Sequence, residues 1–282
     1  MGIVKVDVTI ATKNSAGTIE RCIRAIQGNV PVGRLIVVDG KSTDDTVSIA
    51  EKLGAEVISD TGLLGSVRYL QARECSTEWI AIIDSDVYVY SSWWPEVSAH
   101  TDDLDVGMVL AIGDSPLDRL VIYGDYLEFV FKRFGSAAFS NTLVRRELIL
   151  SCHELLNRVH AGEDTVFARY LSSRGLKVIT VQKRLVYHDK NIVDEHPGAF
   201  FRWGQSIRIR GGVVGARELA KTLKNNVRNW WLFTKDTHRL SIRLLLFLVY
   251  LWVFTFSGYV GVPKQAGMRG VNSQVPRDAP KH

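Results

Sequence analysis

The chain has 282 residues, 46% of them hydrophobic and 23% charged. That balance excludes a disordered or fibrous protein and leaves room for one large domain, or one domain with an appendage. Seven prolines and the lack of a repeat period exclude collagen-like and solenoid architectures. The net charge of +5 is unevenly laid: residues 1–200 carry 21 Lys and Arg against 27 Asp and Glu, and residues 201–282 carry 14 against 3. An acidic body is therefore followed by a basic end that suits an anionic surface.

The first 200 residues alternate strand and helix signals. VDVTIAT (6–12) is a β-branched strand. Residues 15–28 predict a helix with Ser15 as its cap and Ile19, Ile23 and Ile26 on one face. RLIVVD (34–39) is a continuous apolar run of the kind found in parallel sheets. A helix follows over 43–53, capped by Thr43 or Asp44, then a strand over 55–59, a helix over 66–75 and the strand WIAIID (79–84). This β-α-β-α-β-α-β order predicts an α/β fold with a doubly wound, mostly parallel sheet and right-handed crossovers. Ligands of such sheets bind at the carboxyl ends of the strands. The polar residues there are Thr12, Lys13 and Asn14, then Asp39, then Asp84, Ser85 and Asp86.

Beyond residue 200 the pattern changes. In residues 216–231, Leu219, Leu223, Val227 and Trp230 recur at helical spacing, with Arg217, Lys221, Lys224 and Arg228 on the other faces. This is the pattern of a basic amphipathic helix lying among lipid headgroups. Residues 244–262 then run 19 positions without a charge, near the ~20 residues that span a bilayer core. They read as a transmembrane helix, or as a re-entrant hairpin around Gly258 and Gly261, with a buried core helix as the alternative. The basic flank places the body in the cytoplasm by the positive-inside rule, and the neighbouring apolar run favours lipid over nucleic acid as the partner of that charge. The chain thus divides into a body (1–200), a basic amphipathic segment (201–241), a membrane-embedded helix (242–262) and a flexible tail (263–282). Cys22, Cys75 and Cys152 form no CxxC, so neither a disulfide scaffold nor a thiolate zinc site is expected, and a reducing compartment fits. The first 15 residues offer only a short apolar stretch that contains Asp7 and do not read as a signal peptide.

Asp84 and Asp86, two positions apart at a strand end, repel each other unless a cation lies between them or they cap a helix. Mg²⁺ and Mn²⁺ favour such oxygen ligands, with phosphate oxygens completing the sphere. Asp39 ends a buried strand, where a carboxylate can accept hydrogen bonds from a ribose or a base. No GxGxxG follows the first strand and no P-loop pattern occurs, which disfavours dinucleotide-binding dehydrogenases and P-loop NTPases. Glu163-Asp164 opens a predicted helix, where acidic residues are also ordinary partners of the helix dipole. His188 ends the apolar run LVYH and reads equally as a metal ligand or as a polar strand end.

Taken in order, TIATKNSAGTIERCIRAI, IVVDGKSTDDT, G-x-x-R and EWIAIIDSDV resemble the nucleotide-sugar-binding half of a family 2 glycosyltransferase. The resemblance covers residue 5 to about 190 and implies the nucleotide-diphospho-sugar transferase (GT-A) fold. It also implies a sugar nucleotide donor and a divalent metal, Mg²⁺ or Mn²⁺. Thr12, Lys13 and Asn14 match the loop that touches the nucleotide, although the family often has proline at position 11 and an aromatic at position 13. Asp39 matches the aspartate on base or ribose, and Arg68 the arginine near base or diphosphate. Asp84, Ser85 and Asp86 match the DxD of ribose and metal-diphosphate. Asp164 matches the general base, preceded by Glu163. Ser140 and Asn141 resemble the acceptor-side segment, and the resemblance to some related transferases implies that His188 completes the metal sphere. Arg202-Trp203 resembles the end of the Gln-x-x-Arg-Trp motif of processive polysaccharide synthases, but Ala199 stands in place of its glutamine, which argues against that activity. The function expected is inverting sugar transfer to a polyprenyl-phosphate or other lipid-linked acceptor. The alternatives are a soluble glycan or protein acceptor, or a catalytically silent nucleotide-sugar-binding scaffold.

Overall fold

A computed structural model describes residues 5–115, 125–126, 128–130, 138–159, 162–189 and 197–260. The predicted βα units are found in order. They are β1 (Val6–Thr12), α1 (Ile19–Asn29), β2 (Val32–Asp39), α2 (Thr46–Lys52), β3 (Glu56–Ser59), α3 (Leu64–Glu74) and β4 (Trp79–Ile83). There follow β5 (Val87–Val89), α4 (Trp93–Ser98), β6 (Val106–Asp114), β7 (Asn141–Arg145), α5 (Arg146–Ser151), α6 (His153–Leu156), α7 (Glu163–Ser173) and β8 (Lys177–His188). The eight strands form one sheet in the order β3-β2-β1-β4-β7-β6-β8-β5. The pairs β1–β2, β2–β3, β1–β4 and β6–β8 are parallel, whereas β7 and β5 run antiparallel to their neighbours. The sheet is therefore mixed but mostly parallel, as the sequence predicts.

Side-chain alternation divides the core between the two faces of the sheet. Ala81 and Ile83 of β4 join Val8, Ile10, Ile23 and Ile26 on one face. Ile80 and Ile82 join Ile36, Ala72, Ile149, Leu156 and Phe167 on the other. Both faces are covered, which explains the apolar continuity of β2 and β4. At the amino end of β1, Asp7 is buried and holds three segments together. It accepts hydrogen bonds from the Arg34 N–H at 3.0 Å, the Ser76 N–H at 2.7 Å, the Ser76 hydroxyl at 2.9 Å and the Thr77 N–H at 3.3 Å. Burial pushes its carboxyl up, but these donors outweigh it and hold Asp7 below the ordinary aspartate value.

Several boundaries differ from expectation. Ser15 does not cap α1, which starts four residues later; its carbonyl accepts the Thr18 and Ile19 N–H groups at 3.0 and 2.9 Å. The intervening loop is instead tied to the loop after β2. At α2 neither expected residue occupies the cap position, which falls on Asp45; Asp44 accepts the Thr46 N–H at 3.1 Å from just outside it.

The basic segment is part of a 41-residue helix, α8 (Pro197–Thr237), and the uncharged run forms α9 (Ile242–Val260). Among the described residues no helix is long and apolar enough to cross a membrane. The transmembrane expectation over 242–262 is corrected accordingly, and α9 lies back along α8. Its buried stripe of Leu244, Phe247, Leu248, Leu251 and Tyr259 is spent on packing within the protein. The helix also runs unbroken through Gly258, so no re-entrant turn forms there. The backbones approach closely at Gly204, where a Cβ would lie 1.9 Å from the Thr255 carbonyl oxygen. The hairpin is docked on the body by Phe233, Leu244 and Leu248 against Tyr126, Phe129 and Val130, and by an ion-pair chain from Arg239 through Asp125 to Arg184.

Helix α3 is seated against α6 by Gly65, where a Cβ would fall 2.0 Å from the Leu156 carbonyl oxygen. Backbone cannot swing aside as a side chain can. Gly65→Ala should therefore lose about 1–3 kcal/mol to overpacking despite its better helix propensity. Thermal unfolding should show a fall of ~2–4 °C per kcal/mol; an unchanged midpoint would refute this packing.

Candidate active site

Three loops meet at the carboxyl edge of the sheet. The loop after β1 is stitched to the loop after β2. Asn14 Oδ1 accepts the Thr43 N–H at 2.8 Å, the Asn14 N–H reaches Ser42 Oγ at 2.8 Å, and the Ser15 N–H reaches Thr46 Oγ1 at 2.7 Å. Asn14 adopts φ 51°, a left-handed conformation that asparagine tolerates better than most side chains. Lys13 is exposed beside it, and Thr12 is buried with an Oγ1 that has no hydrogen-bond partner among the described residues. Asp39 is 3% exposed and accepts both the N–H (2.9 Å) and the hydroxyl (2.5 Å) of Ser42. Its carboxylate thus shapes the turn after β2, in addition to the nucleotide contact that the resemblance implies.

The loop after β4 carries Asp84, Ser85 and Asp86. The Asp84 N–H donates to the Ser140 carbonyl at 2.9 Å, and its own carbonyl accepts the Val87 N–H at 3.0 Å. Ser85 turns toward β1 and donates to Ser15 Oγ at 3.0 Å. Asp86 points toward β8. Val87 pairs with His188 in the β5–β8 ladder, and the Asp189 N–H donates to the Asp86 carbonyl at 2.8 Å. His188 Nε2 consequently lies 3.2 Å from Asp86 Oδ1. It is buried, yet it makes no hydrogen bond of acceptable geometry among the described residues. The ligand atoms of Asp84, Asp86 and His188 lie within 4.8 Å of one another. Two carboxylates and an imidazole nitrogen in need of a partner fit a divalent ion such as Mn²⁺ or Mg²⁺.

The acceptor side begins at Gly162, whose φ of 76° turns the chain into α7. Glu163, 6% exposed, faces inward, while Asp164 is half-buried and accepts the Thr165 N–H at 2.6 Å. Arg68 of α3 lies between the two halves. Its Nη2 is 3.5 Å from Asp84 Oδ1 and 3.5 Å from Glu163 Oε1, and Nη1 donates to Gln71 Oε1 at 3.1 Å. The resemblance places this arginine near base or diphosphate; the structure buries it between two carboxylates.

Burial pushes the Glu163 carboxyl up to about 7, with the Arg68 guanidinium opposing and the Asp164 charge adding to the rise. Burial also raises Asp164, against the hydrogen bonds from Thr165.

The other expected residues lie as follows. Asn141 is buried in β7 and its Oδ1 accepts the Ala111 N–H at 3.0 Å, so its amide clamps β6 to β7. Ser140 offers its carbonyl to Asp84, as described. Arg202 and Trp203 fall in the first turns of α8, but their side chains lie outside the described residues. Three contributors were not singled out from sequence: Ser42, Gln71, and Phe139, over whose ring the Arg68 Cζ stands at 5.1 Å. Ser42 sits in the recognisable DGKSTDDT turn; no local pattern marks the other two.

Residues 7–171 match the model of the family described as "Glycosyl transferase family 2". The chain belongs to this family. It is similar to an uncharacterized glycosyltransferase of Rickettsia felis, 44% identical over 84 residues that make up 29% of each chain. It is similar to another from Rickettsia typhi, 29% identical over 150 residues, or 49% of this chain and 50% of the relative. The chain thus spans between under a third and half of these relatives. In fold it is similar to the crystal structure of glucosyl-3-phosphoglycerate synthase from Mycobacterium tuberculosis with Mg²⁺ and uridine diphosphate. The identity is 20% and the TM-score 0.50, over 68% of this chain and 73% of the other.

An acid whose folded pKa lies above its unfolded value, here about 7 against 4.5, costs the fold stability as the pH rises between the two. Glu163→Gln removes that titration. The difference in melting temperature between variant and wild type should therefore drift in favour of the variant from about pH 4.5 to pH 7 and level off above. Parallel profiles would show that Glu163 does not titrate in this range.

Proposed function

We propose that the protein is a metal-dependent inverting glycosyltransferase working at the cytoplasmic face of a membrane. It moves a sugar from a nucleotide diphosphate donor to a polyprenyl-phosphate or other lipid-linked acceptor. The observation that carries the transferase reading is the convergence of Asp84, Asp86 and His188 at the sheet edge, with Arg68 reaching from Asp84 to Glu163, the neighbour of Asp164. Asp84, Asp86 and His188 would hold the ion, and the loops of Thr12–Asn14 and Asp39 would hold the nucleoside. A bound Mg²⁺ or Mn²⁺ would supply positive charge to the departing diphosphate. Asp164 would accept the proton of an acceptor hydroxyl, a role favoured by its raised pKa. Toward a phosphate acceptor, which is already ionised, Asp164 would orient rather than deprotonate. The Mg²⁺ and uridine diphosphate in the mycobacterial synthase are in keeping with such a donor site.

The membrane part of the reading rests on the helical hairpin. α8 presents Arg217, Lys221, Lys224 and Arg228 with the 58% exposed Trp231. α9 presents Ile242, Leu246, Val249, Val253, Phe256 and Val260. These six residues follow a strict 4-3 spacing, and no acidic residue interrupts the segment from 237 to 260. Soluble coiled-coil seams are flanked by charged residues. Here the flanks include Leu245, Tyr250 and Phe254 with Arg243 as the one charge, which suits immersion in the interface without crossing. Each basic residue near anionic lipid contributes about 1 kcal/mol.

Incubation with labelled nucleotide sugars and Mn²⁺ should place label in organic-extractable lipid. Asp86→Ala and Asp164→Asn should each lower that transfer by about 10²-fold or more for a hydroxyl acceptor. Full activity in both variants would sink the site assignment, and donor turnover without lipid label would move the acceptor to soluble glycans, proteins or small phosphates. Separately, the protein should sediment with anionic vesicles at low salt and be released by Leu246→Asp with Phe256→Asp. Failure to bind such vesicles would remove the membrane from the reading and leave the transferase standing.

A further inference from the structure

The Arg68 side chain is 5% exposed and lies at equal distance, 3.5 Å, from Asp84 on the donor side and Glu163 on the acceptor side. Both separations are longer than an ordinary hydrogen bond, and only the one to Asp84 has hydrogen-bond geometry, so the guanidinium leans to Asp84 while staying within ion-pair reach of Glu163. Its position is set from behind. Gln71, itself wholly buried, takes one amino group at 3.1 Å, and the ring of Phe139 lies 5.1 Å below. The next residue, Ser140, takes the Asp84 N–H. One short stretch, 139–140, therefore fixes both the cation and the backbone of the carboxylate it faces.

From this arrangement we infer that Arg68 is a positioning residue that couples the two halves of the site. An ion entering between Asp84, Asp86 and His188 competes with Arg68 for the Asp84 carboxylate. Glu163 offers the guanidinium a second anion, so that Asp84 can be released toward the metal without stranding a buried cation. Loading of the donor side then draws Arg68 toward Glu163, the neighbour of Asp164, and orders the acceptor side at the same moment. This inference rests on the donor-metal reading above.

The test is a double-mutant cycle read by Mn²⁺ affinity alone, measured by electron paramagnetic resonance with and without uridine diphosphate. It is run at about pH 8, above the value of about 7 to which burial lifts Glu163. In the wild-type background, Glu163→Gln should weaken Mn²⁺ binding by about 3- to 10-fold, because Arg68 then turns wholly to Asp84. Arg68→Met should bind Mn²⁺ more tightly than wild type, having lost the competing charge. In that background Glu163→Gln should change the affinity by less than about 2-fold. Arg68→Lys, a point charge without the planar fork, should shrink the effect of Glu163→Gln in the same way and serves if the methionine variant does not fold. Equal effects of Glu163→Gln in every background would overturn the coupling and leave the metal site intact. A wild-type protein that takes up no Mn²⁺ would overturn the donor-site reading, and this inference with it.

Discussion

Like charges gathered at one place are the constraint around which this edge of the protein is organised. Asp84 and Asp86 approach each other within 4.8 Å, a separation at which two carboxylates repel by about 3 kcal/mol at an effective dielectric near 20. Glu163 and Asp164 add two more carboxyl groups, both destabilised as anions by burial. Nothing in the packing of a doubly wound sheet calls for this. The fold tolerates it because Arg68 is held between two of the carboxylates, because His188 stands beside a third, and because the edge is shaped to receive further positive charge.

The rest of the body can be understood as the means of holding those groups still. Both faces of β4 are buried, which anchors the strand that delivers the DxD. α3 is pressed against α6 through Gly65, which fixes the root of Arg68 three residues on. At the far end of the sheet, Asp7 ties β1 to the chain leading into β2 and into β4. The two buried carboxylates thus behave oppositely. Asp7 is surrounded by donors that hold its pKa down, whereas burial raises Glu163 and the Arg68 guanidinium only partly offsets it.

Much of this was legible in the sequence. The first four strands and three helices lie within a few residues of their predicted places, because β-branched runs and 3.6-residue periodicity report burial directly. Asp84, Asp86 and His188 were legible as candidates because the aspartates stand two positions apart just beyond an apolar strand and His188 ends another. What the sequence hid depends on direction in space. Arg68 stands on a helix of ordinary composition, and nothing local says that its side chain turns inward between two acids. Asn141 looks like a ligand-facing amide but spends its oxygen on the β6 backbone. The apolar run at 244–262 reads as a membrane span because hydropathy does not reveal that one stripe is already used against α8.

The ladder between β5 and β8 has a consequence for how such a site can diversify. Asp86 and His188 are separated by about a hundred positions in the chain, yet they flank one antiparallel pairing, Val87 opposite His188. Their spacing is therefore written in backbone hydrogen bonds, which are indifferent to side-chain identity. Loops elsewhere on the edge can be lengthened, shortened or rewritten without renegotiating the distance between Asp86 and His188. A pair of side chains anchored in a ladder keeps its geometry while the loops around it change.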